Sequence, residues 1–60
     1  MDNYTATMIA EGVIETDTEE EVIEALQHLV DTGLAWQLQG AIGRMAQHLI
    51  DKGVINENTR

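Results

Sequence analysis

The sequence predicts an all-α fold, a small domain of three helices at about residues 3–11, 18–32 and 35–52. Two observations lead to this prediction. A helix-ending pattern that closes on glycine recurs along the chain, and apolar residues recur at helical spacing between these endings. Because 60 residues can form only one domain, we assign residues 1–60 to it and expect a disordered tail at 56–60.

The helix endings are marked by a repeat. Residues 27–34 read QHLVDTGL, residues 47–54 read QHLIDKGV, and a weaker copy, MIAEGV, covers residues 8–13. In each copy, apolar residues are followed by polar ones, then glycine, then another apolar residue, which is typical of a helix that ends with glycine in the left-handed conformation. Three glycines are accordingly expected to end the three helices: Gly12, Gly33 and Gly53.

The first predicted helix is short and has Asp2 or Asn3 as its N-cap. Its apolar side chains give only a small cover for the rest of the domain: Tyr4, Met8 and Ile9.

The second predicted helix has strong start signals. Each of its candidate N-caps is followed three residues later by a glutamate, which is the spacing of a capping box: Thr16, Asp17 and Thr18 with Glu19, Glu20 and Glu21. On a helical wheel the apolar residues form one stripe: Val22, Ile23, Leu26, Leu29 and Val30. The polar residues share the opposite face: Glu20, Glu21, Glu24, His28 and Asp31. This helix is therefore expected to bury one side only.

The third predicted helix is apolar on two sides. One stripe is expected to pack on the second helix in a helical hairpin: Leu38, Ile42, Met45 and Leu49. A second set lies roughly 120° away around the helix: Trp36, Gly43, Ala46 and Ile50. A helix of this kind needs neighbours on more than one side, and the chain is too short to supply them all. We therefore expect a homo-oligomer, with a dimer as the first choice.

Two glycines fall inside the third predicted helix. Gly40 and Gly43 each cost about 1 kcal/mol relative to alanine in a helix interior. Close approach of another backbone or of a large side chain, for which Trp36 is a candidate, would offset this cost. In the alternative interpretation the helix breaks near Gly40 and gives a helix-turn-helix.

Composition excludes several classes of function. There are 11 Asp and Glu residues against 3 Lys and Arg, so the net charge is −8 and no basic footprint for nucleic acid exists. The absence of cysteine excludes disulfides and thiolate metal sites. Since no signal peptide and no apolar run long enough to span a membrane is present, the chain is expected to be soluble and cytoplasmic.

The polar residues suggest no catalytic centre. His28 has Glu24 and Asp31 at helical spacing, but it lies at the opposite end of the helix pair from His48, so the two histidines are not expected to share a metal. Both are expected to be solvated near helix C-termini, and no nucleophile, base and orienting group converge. We expect no enzyme activity and no cofactor. Arg44 has no carboxylate three or four residues away, so it either pairs with another helix or subunit or is solvated.

Part of the sequence resembles a known group of proteins. Residues 32–55 read TGLAWQLQGAIGRMAQHLIDKGVI, which contains the pattern Gly-Leu-x-Trp-x-Leu-Gln-Gly-x-x-Gly-Arg. The matching positions are Gly33, Leu34, Trp36, Leu38, Gln39, Gly40, Gly43, Arg44 and the closing Gly53. This segment resembles small uncharacterised proteins encoded by phages of actinobacteria, including mycobacteriophages. The resemblance implies a phage origin and expression in the cytoplasm of a bacterial host, and it implies no activity.

These observations predict a non-enzymatic protein that acts by protein–protein interaction. Self-association is expected through the third helix, with an interface formed by Trp36, Gln39, Gly40, Gly43, Arg44, Ala46 and Ile50. A basic surface of a host protein is expected to meet an acidic face formed by Glu20, Glu21, Glu24 and Asp31. The alternative is a helix-turn-helix regulator that binds DNA, although its recognition helix would offer only Arg44, Lys52 and a histidine as cations.

Overall fold

The computed structural model describes residues 1–37 and 41–57. Within these ranges the chain is all-α and contains no strand, which confirms the predicted fold class. The described helices are α1 (Asn3–Ala10), α2 (Glu19–Thr32), α3 (Leu34–Gln37) and α4 (Ala41–Asp51).

Helix α2 is the centre of the domain, and it contacts each of the other three helices. Its side chains Leu26, Leu29 and Val30 are the largest that are fully buried, and burial of each contributes roughly 1.5–3 kcal/mol relative to exposure. The other helices and the C-terminal segment complete the core with Ala6, Ile9, Ala10, Ala35, Ile42, Ala46 and Ile55.

Helix α1 packs on α2 through small residues. Ala6 and Ala10 are buried together with Ile9, whereas Tyr4, which was expected to cover the domain, is 70% exposed. Because Ala6 and Ala10 are four residues apart, they lie on one face of α1 and let its backbone come close to α2. The expected contribution of Tyr4 to the core is therefore wrong, and the alanines supply the contact instead.

The N-cap of α1 is Asp2, one of the two expected residues. Its carboxylate accepts a hydrogen bond from the backbone N–H of Thr5 at 2.9 Å. Hydrogen bonds from Thr5, first from its side chain and then from its backbone, lower the pKa of Asp2 below its ordinary value of 3.8. Since the pKa is lowered in the folded chain, the cap stabilises α1 above the ordinary pKa and is lost as the pH falls through the folded value.

The three expected glycines all take the left-handed conformation. The φ angles of Gly12, Gly33 and Gly53 are 82°, 83° and 79°. At the end of α1, the N–H of Gly12 donates to the Ile9 carbonyl at 3.0 Å, and that of Val13 to the Met8 carbonyl at 2.9 Å. These are the two bonds of a Schellman motif, and the same pair of bonds recurs after α4.

The expected capping box does not form at the start of α2, because Glu21 bonds to the residue before the N-cap and not to the N-cap itself. Thr18 is the N-cap and has an extended backbone, but its side chain makes no capping hydrogen bond. Glu21 accepts a hydrogen bond from the backbone N–H of Asp17 at 3.3 Å. The three glutamates Glu19–Glu21 remain in the first turn, where carboxylates stabilise the positive end of the helix dipole.

The single helix predicted over 35–52 is two helices, α3 and α4. A Cβ atom added at Gly43 would lie 3.3 Å from the carbonyl oxygen of Ala35. In one straight helix, positions eight residues apart are separated by about 12 Å, so α3 and α4 cannot be turns of the same helix. The prediction of one helix was therefore wrong, and the alternative of a break is closer to the structure. Leu38, Gln39 and Gly40 lie outside the described residues.

The C-terminal segment is held against α2. The side-chain amide of Gln27 donates to the carbonyl of Asn56 and accepts from its N–H, each at 2.8 Å, and Ile55 is 3% exposed. The prediction of disorder from residue 56 is therefore wrong for Asn56. The side chain of Gln27 pairs with the backbone of Asn56 as a neighbouring strand would. Residues 58–60 lie outside the described residues.

Replacement of Gln27 tests its two hydrogen bonds to Asn56. Gln47, which has the equivalent position in the repeat, is the comparison. Gln27 and Gln47 both donate to an aspartate four residues later, at 2.9 and 3.0 Å, but only Gln27 holds Asn56. We expect Gln27→Ala to lower the free energy of unfolding by about 1 kcal/mol more than Gln47→Ala, because two further hydrogen bonds are lost. Urea unfolding followed by circular dichroism measures the free energy of unfolding of both variants. Equal losses would show that the hydrogen bonds to Asn56 do not stabilise the fold.

Replacement of Gly43 tests the contact between α3 and α4. We expect Gly43→Val to lower the free energy of unfolding by about 2 kcal/mol, because its side chain would meet the Ala35 carbonyl. The control is Gln47→Val, a β-branched substitution at an exposed position of the same helix, for which a change within about 0.5 kcal/mol is expected. Thermal and urea unfolding compare the two variants, and a similar cost at both positions would show that the contact is unimportant.

Candidate functional site

An open apolar groove of about 510 Å³ lies between α2 and α4. Its apolar lining comes from Val22, Ile23 and Leu26 of α2 and from Ala41, Met45 and Leu49 of α4. Three polar residues complete it, and all are exposed: Glu19, Arg44 and His48. We refer to these nine residues as the α2–α4 groove.

The face of α4 that is turned to the core differs from the predicted one, and this leaves the groove open. The expected inward stripe ran through Ile42, Met45 and Leu49, but Ile42 and Ala46 are the buried residues, and Met45 and Leu49 are only half-buried. On a wheel of 100° per residue, the buried face of α4 is rotated by roughly 50° from the predicted one. The contact of α3 with Gly43 lies on the other side of α4, so the predicted inward stripe is left partly open on the groove side.

The residues predicted to form one interface do not share one exposed surface in the structure. Ala46 is completely buried inside its own chain, which corrects its assignment to an interface. Ile50 packs partly on the same core, and Gly43 faces the Ala35 carbonyl. Trp36 is 39% exposed, and Arg44 is an exposed residue of the α2–α4 groove. Gln39 and Gly40 lie outside the described residues.

Arg44 is the cation of the groove. Within residues 1–37 and 41–57 it forms no ion pair, although Glu19 lines the same groove from α2. The groove thus carries a carboxylate from α2 and a guanidinium from α4, and both are open to a partner of opposite charge.

The acidic face of α2 is exposed at all four predicted positions. Glu20 and Glu24 line a second depression of about 400 Å³ together with Ile23 and Gln27. Glu21 accepts the hydrogen bond from Asp17, and Asp31 accepts one from Gln27. Two of the four carboxylates therefore also have partners inside the chain.

The two histidines have different surroundings. The Nε2 atom of His28 lies 2.7 Å from the side-chain oxygen of Asn3, so this half-buried ring joins α2 to α1, contrary to the expectation of a solvated side chain. His48 is exposed in the α2–α4 groove. In the part of the chain that the structure describes, no three His, Asp or Glu side chains are grouped so that they could hold a metal ion.

Sequence reasoning missed the groove, although its residues were recognised as apolar. Met45 and Leu49 were assigned to the contact with the second helix, and Val22 and Ile23 to the opposite side of the same contact. Met45 and Ile23 lie at the edges of their stripes, which was the available signal, because edge positions are the first to open when a neighbouring helix rotates. Leu49 and Val22 lie inside their stripes and gave no such signal.

Comparison with known proteins identifies the family. A model of the family described as a domain of unknown function, DUF7417, matches residues 15–60, and the chain belongs to this family. The match contains α2, α3, α4 and the whole α2–α4 groove, and α1 precedes it. Searches of curated proteins and of solved structures found no match. Among the described residues, no helix has both the length and the apolar character needed to cross a membrane.

Proposed function

We propose that this protein acts by binding protein and not by catalysis, and that it self-associates through the α2–α4 groove. The observation that carries the proposal is the groove itself, which is lined mainly by apolar side chains and has a volume of about 510 Å³ in a chain of 60 residues. This replaces the expected interface around Ala46 by one on the neighbouring side of the same helix.

The lining of the groove favours association with an apolar surface. Val22, Ile23, Met45 and Leu49 are half-buried, so part of each side chain is still in contact with water. Covering this area contributes about 25 cal/mol per Å² of apolar surface. Glu19 and Arg44, which have opposite charges and lie in the same groove, supply the polar contacts that fix the orientation of a partner.

The cellular setting is part of the same proposal. The resemblance of residues 32–55 to actinobacteriophage proteins supports a phage-encoded protein that works in the cytoplasm of a bacterial host. A host protein with a basic surface is a suitable second partner, because Glu20 and Glu24 are exposed beside a shallow depression on α2.

Ala41→Glu is a direct test of the groove. Ala41 is exposed at the first position of α4, where a carboxylate is favourable to the helix, yet it lines the groove and would place a charge on an apolar contact. We expect the wild-type chain to associate at high micromolar concentration in sedimentation velocity experiments and Ala41→Glu to raise the dissociation constant at least about tenfold.

The matched control for Ala41→Glu is Gln37→Glu. It makes the same change in charge at an exposed position of α3 that does not line the groove, so its dissociation constant should be that of the wild type. A wild-type chain that stays monomeric at high micromolar concentration overturns the proposal of self-association.

The salt dependence of association distinguishes the two kinds of partner. Two copies that each carry a charge of −8 repel one another, whereas a basic partner is attracted. Between about 0.1 M and about 1 M salt the Debye length falls from about 10 Å to about 3 Å. We therefore expect sedimentation to show stronger self-association at high salt, and binding to a basic protein to weaken there. Self-association that weakens as salt is added would mean that ion pairs dominate the interface.

A further inference from the structure

The outer face of α1 is apolar and exposed. Tyr4 is 70% exposed, Met1 is 52% exposed and Met8 is half-buried. On a helical wheel Tyr4 and Met8 lie opposite the buried Ala6 and Ala10, and Met1 precedes the helix. Helix α1 therefore has a buried face of alanines that contacts α2, and an outer ridge of large side chains formed by Tyr4 and Met8, which we call the α1 ridge.

The charge of the chain restricts which of its surfaces can enter the groove of another copy. The eight residues of α1, Asn3–Ala10, include no charged side chain, whereas α2 carries several carboxylates, and α4 carries Arg44 and Asp51. Helix α3 is also uncharged but has only four residues. Helix α1 is thus the longer of the two described helices that carry no charge along their length, and its carboxylates, Asp2 and Glu11, stand at its two ends.

The dimensions of α1 also suit the groove. On α4 the lining extends from Ala41 to Leu49, which is about 12 Å along the helix axis. The eight residues of α1 span about 12 Å as well. Tyr4 and Met8 are four residues apart, and pairs at this spacing are the usual anchors of a helix that binds in a groove between two others.

Shape favours a helix over a second groove. If two grooves faced each other, they would enclose empty space, and their lining atoms would have no partners across it. The α1 ridge instead offers a convex apolar surface. Tyr4 has in addition a hydroxyl group at the end of an apolar ring, which matches a groove whose polar residues Arg44 and His48 are exposed.

We propose that α1 of one copy lies in the α2–α4 groove of a second copy, with Tyr4 and Met8 against the apolar side chains of the groove. This inference rests on the proposed self-association and names the segment that fills the groove.

The first test replaces the main side chain of the ridge. Because Tyr4 is largely exposed, Tyr4→Ala should leave the fold intact, which circular dichroism and urea unfolding would verify. We expect it to weaken self-association roughly tenfold in sedimentation experiments. The control is Val13→Ala, at a residue that is 65% exposed in the segment after α1, and it should associate like the wild type.

The second test locates α1 by crosslinking and uses the absence of native cysteine. A Thr7→Cys variant places a thiol beside the α1 ridge, and an Arg44→Cys variant places one in the groove. The two variants are mixed and treated with a short thiol-reactive crosslinker, and the mixed product is measured by mass spectrometry. A mixture of Thr7→Cys with Lys52→Cys, an exposed position that does not line the groove, is the control.

We expect the Arg44→Cys mixture to crosslink several times faster than the Lys52→Cys mixture. Equal crosslinking at the two positions, or wild-type association by a folded Tyr4→Ala variant, overturns the placement of α1 and leaves self-association standing. A wild-type chain that is monomeric at every concentration removes the proposed function and this inference together. The two failures are therefore distinguishable.

Discussion

The Ala35 carbonyl group lies against α4 at Gly43, where an added Cβ atom would be 3.3 Å from the carbonyl oxygen. The missing side chain at residue 43 lets α3 pack this closely on one side of α4. Ala46 and Ile42 are the buried residues, while Met45 and Leu49 are left at the edge of the core. The groove is therefore a consequence of how two short helices pack within one chain.

A domain of this size faces a limit on how much surface it can bury. The chain packs α1 closely through alanines and holds Ile55 under its C-terminal segment, yet large side chains remain exposed on α1 and half-exposed in the groove. Binding that covers these surfaces would also stabilise the fold, because a partner that binds only the folded state shifts the unfolding equilibrium. Stability and function are thus expected to depend on the same contacts.

Local chemistry explains what could be predicted from the sequence. The glycine endings and the Asp2 cap depend on a few neighbouring residues, so Gly12, Gly33 and Gly53 could be assigned before the structure was known. The division between α3 and α4 was anticipated only as the alternative interpretation, because the contact between residues 35 and 43 that accompanies it is one that a wheel for a straight helix excludes. The groove depends on how α4 packs against α2, and the hydrogen bonds of Gln27 join it to Asn56, 29 residues further along the chain; neither can be inferred from neighbouring residues.

Two consecutive residues of α2 hold opposite ends of the described chain. His28 contacts Asn3 near the start, and Gln27 pairs with Asn56 near the end. The segments around Asn3 and Asn56 are therefore anchored within one turn of the same helix. Opening of this turn of α2 would therefore release both segments at once, so they are expected to unfold as one cooperative unit with that helix.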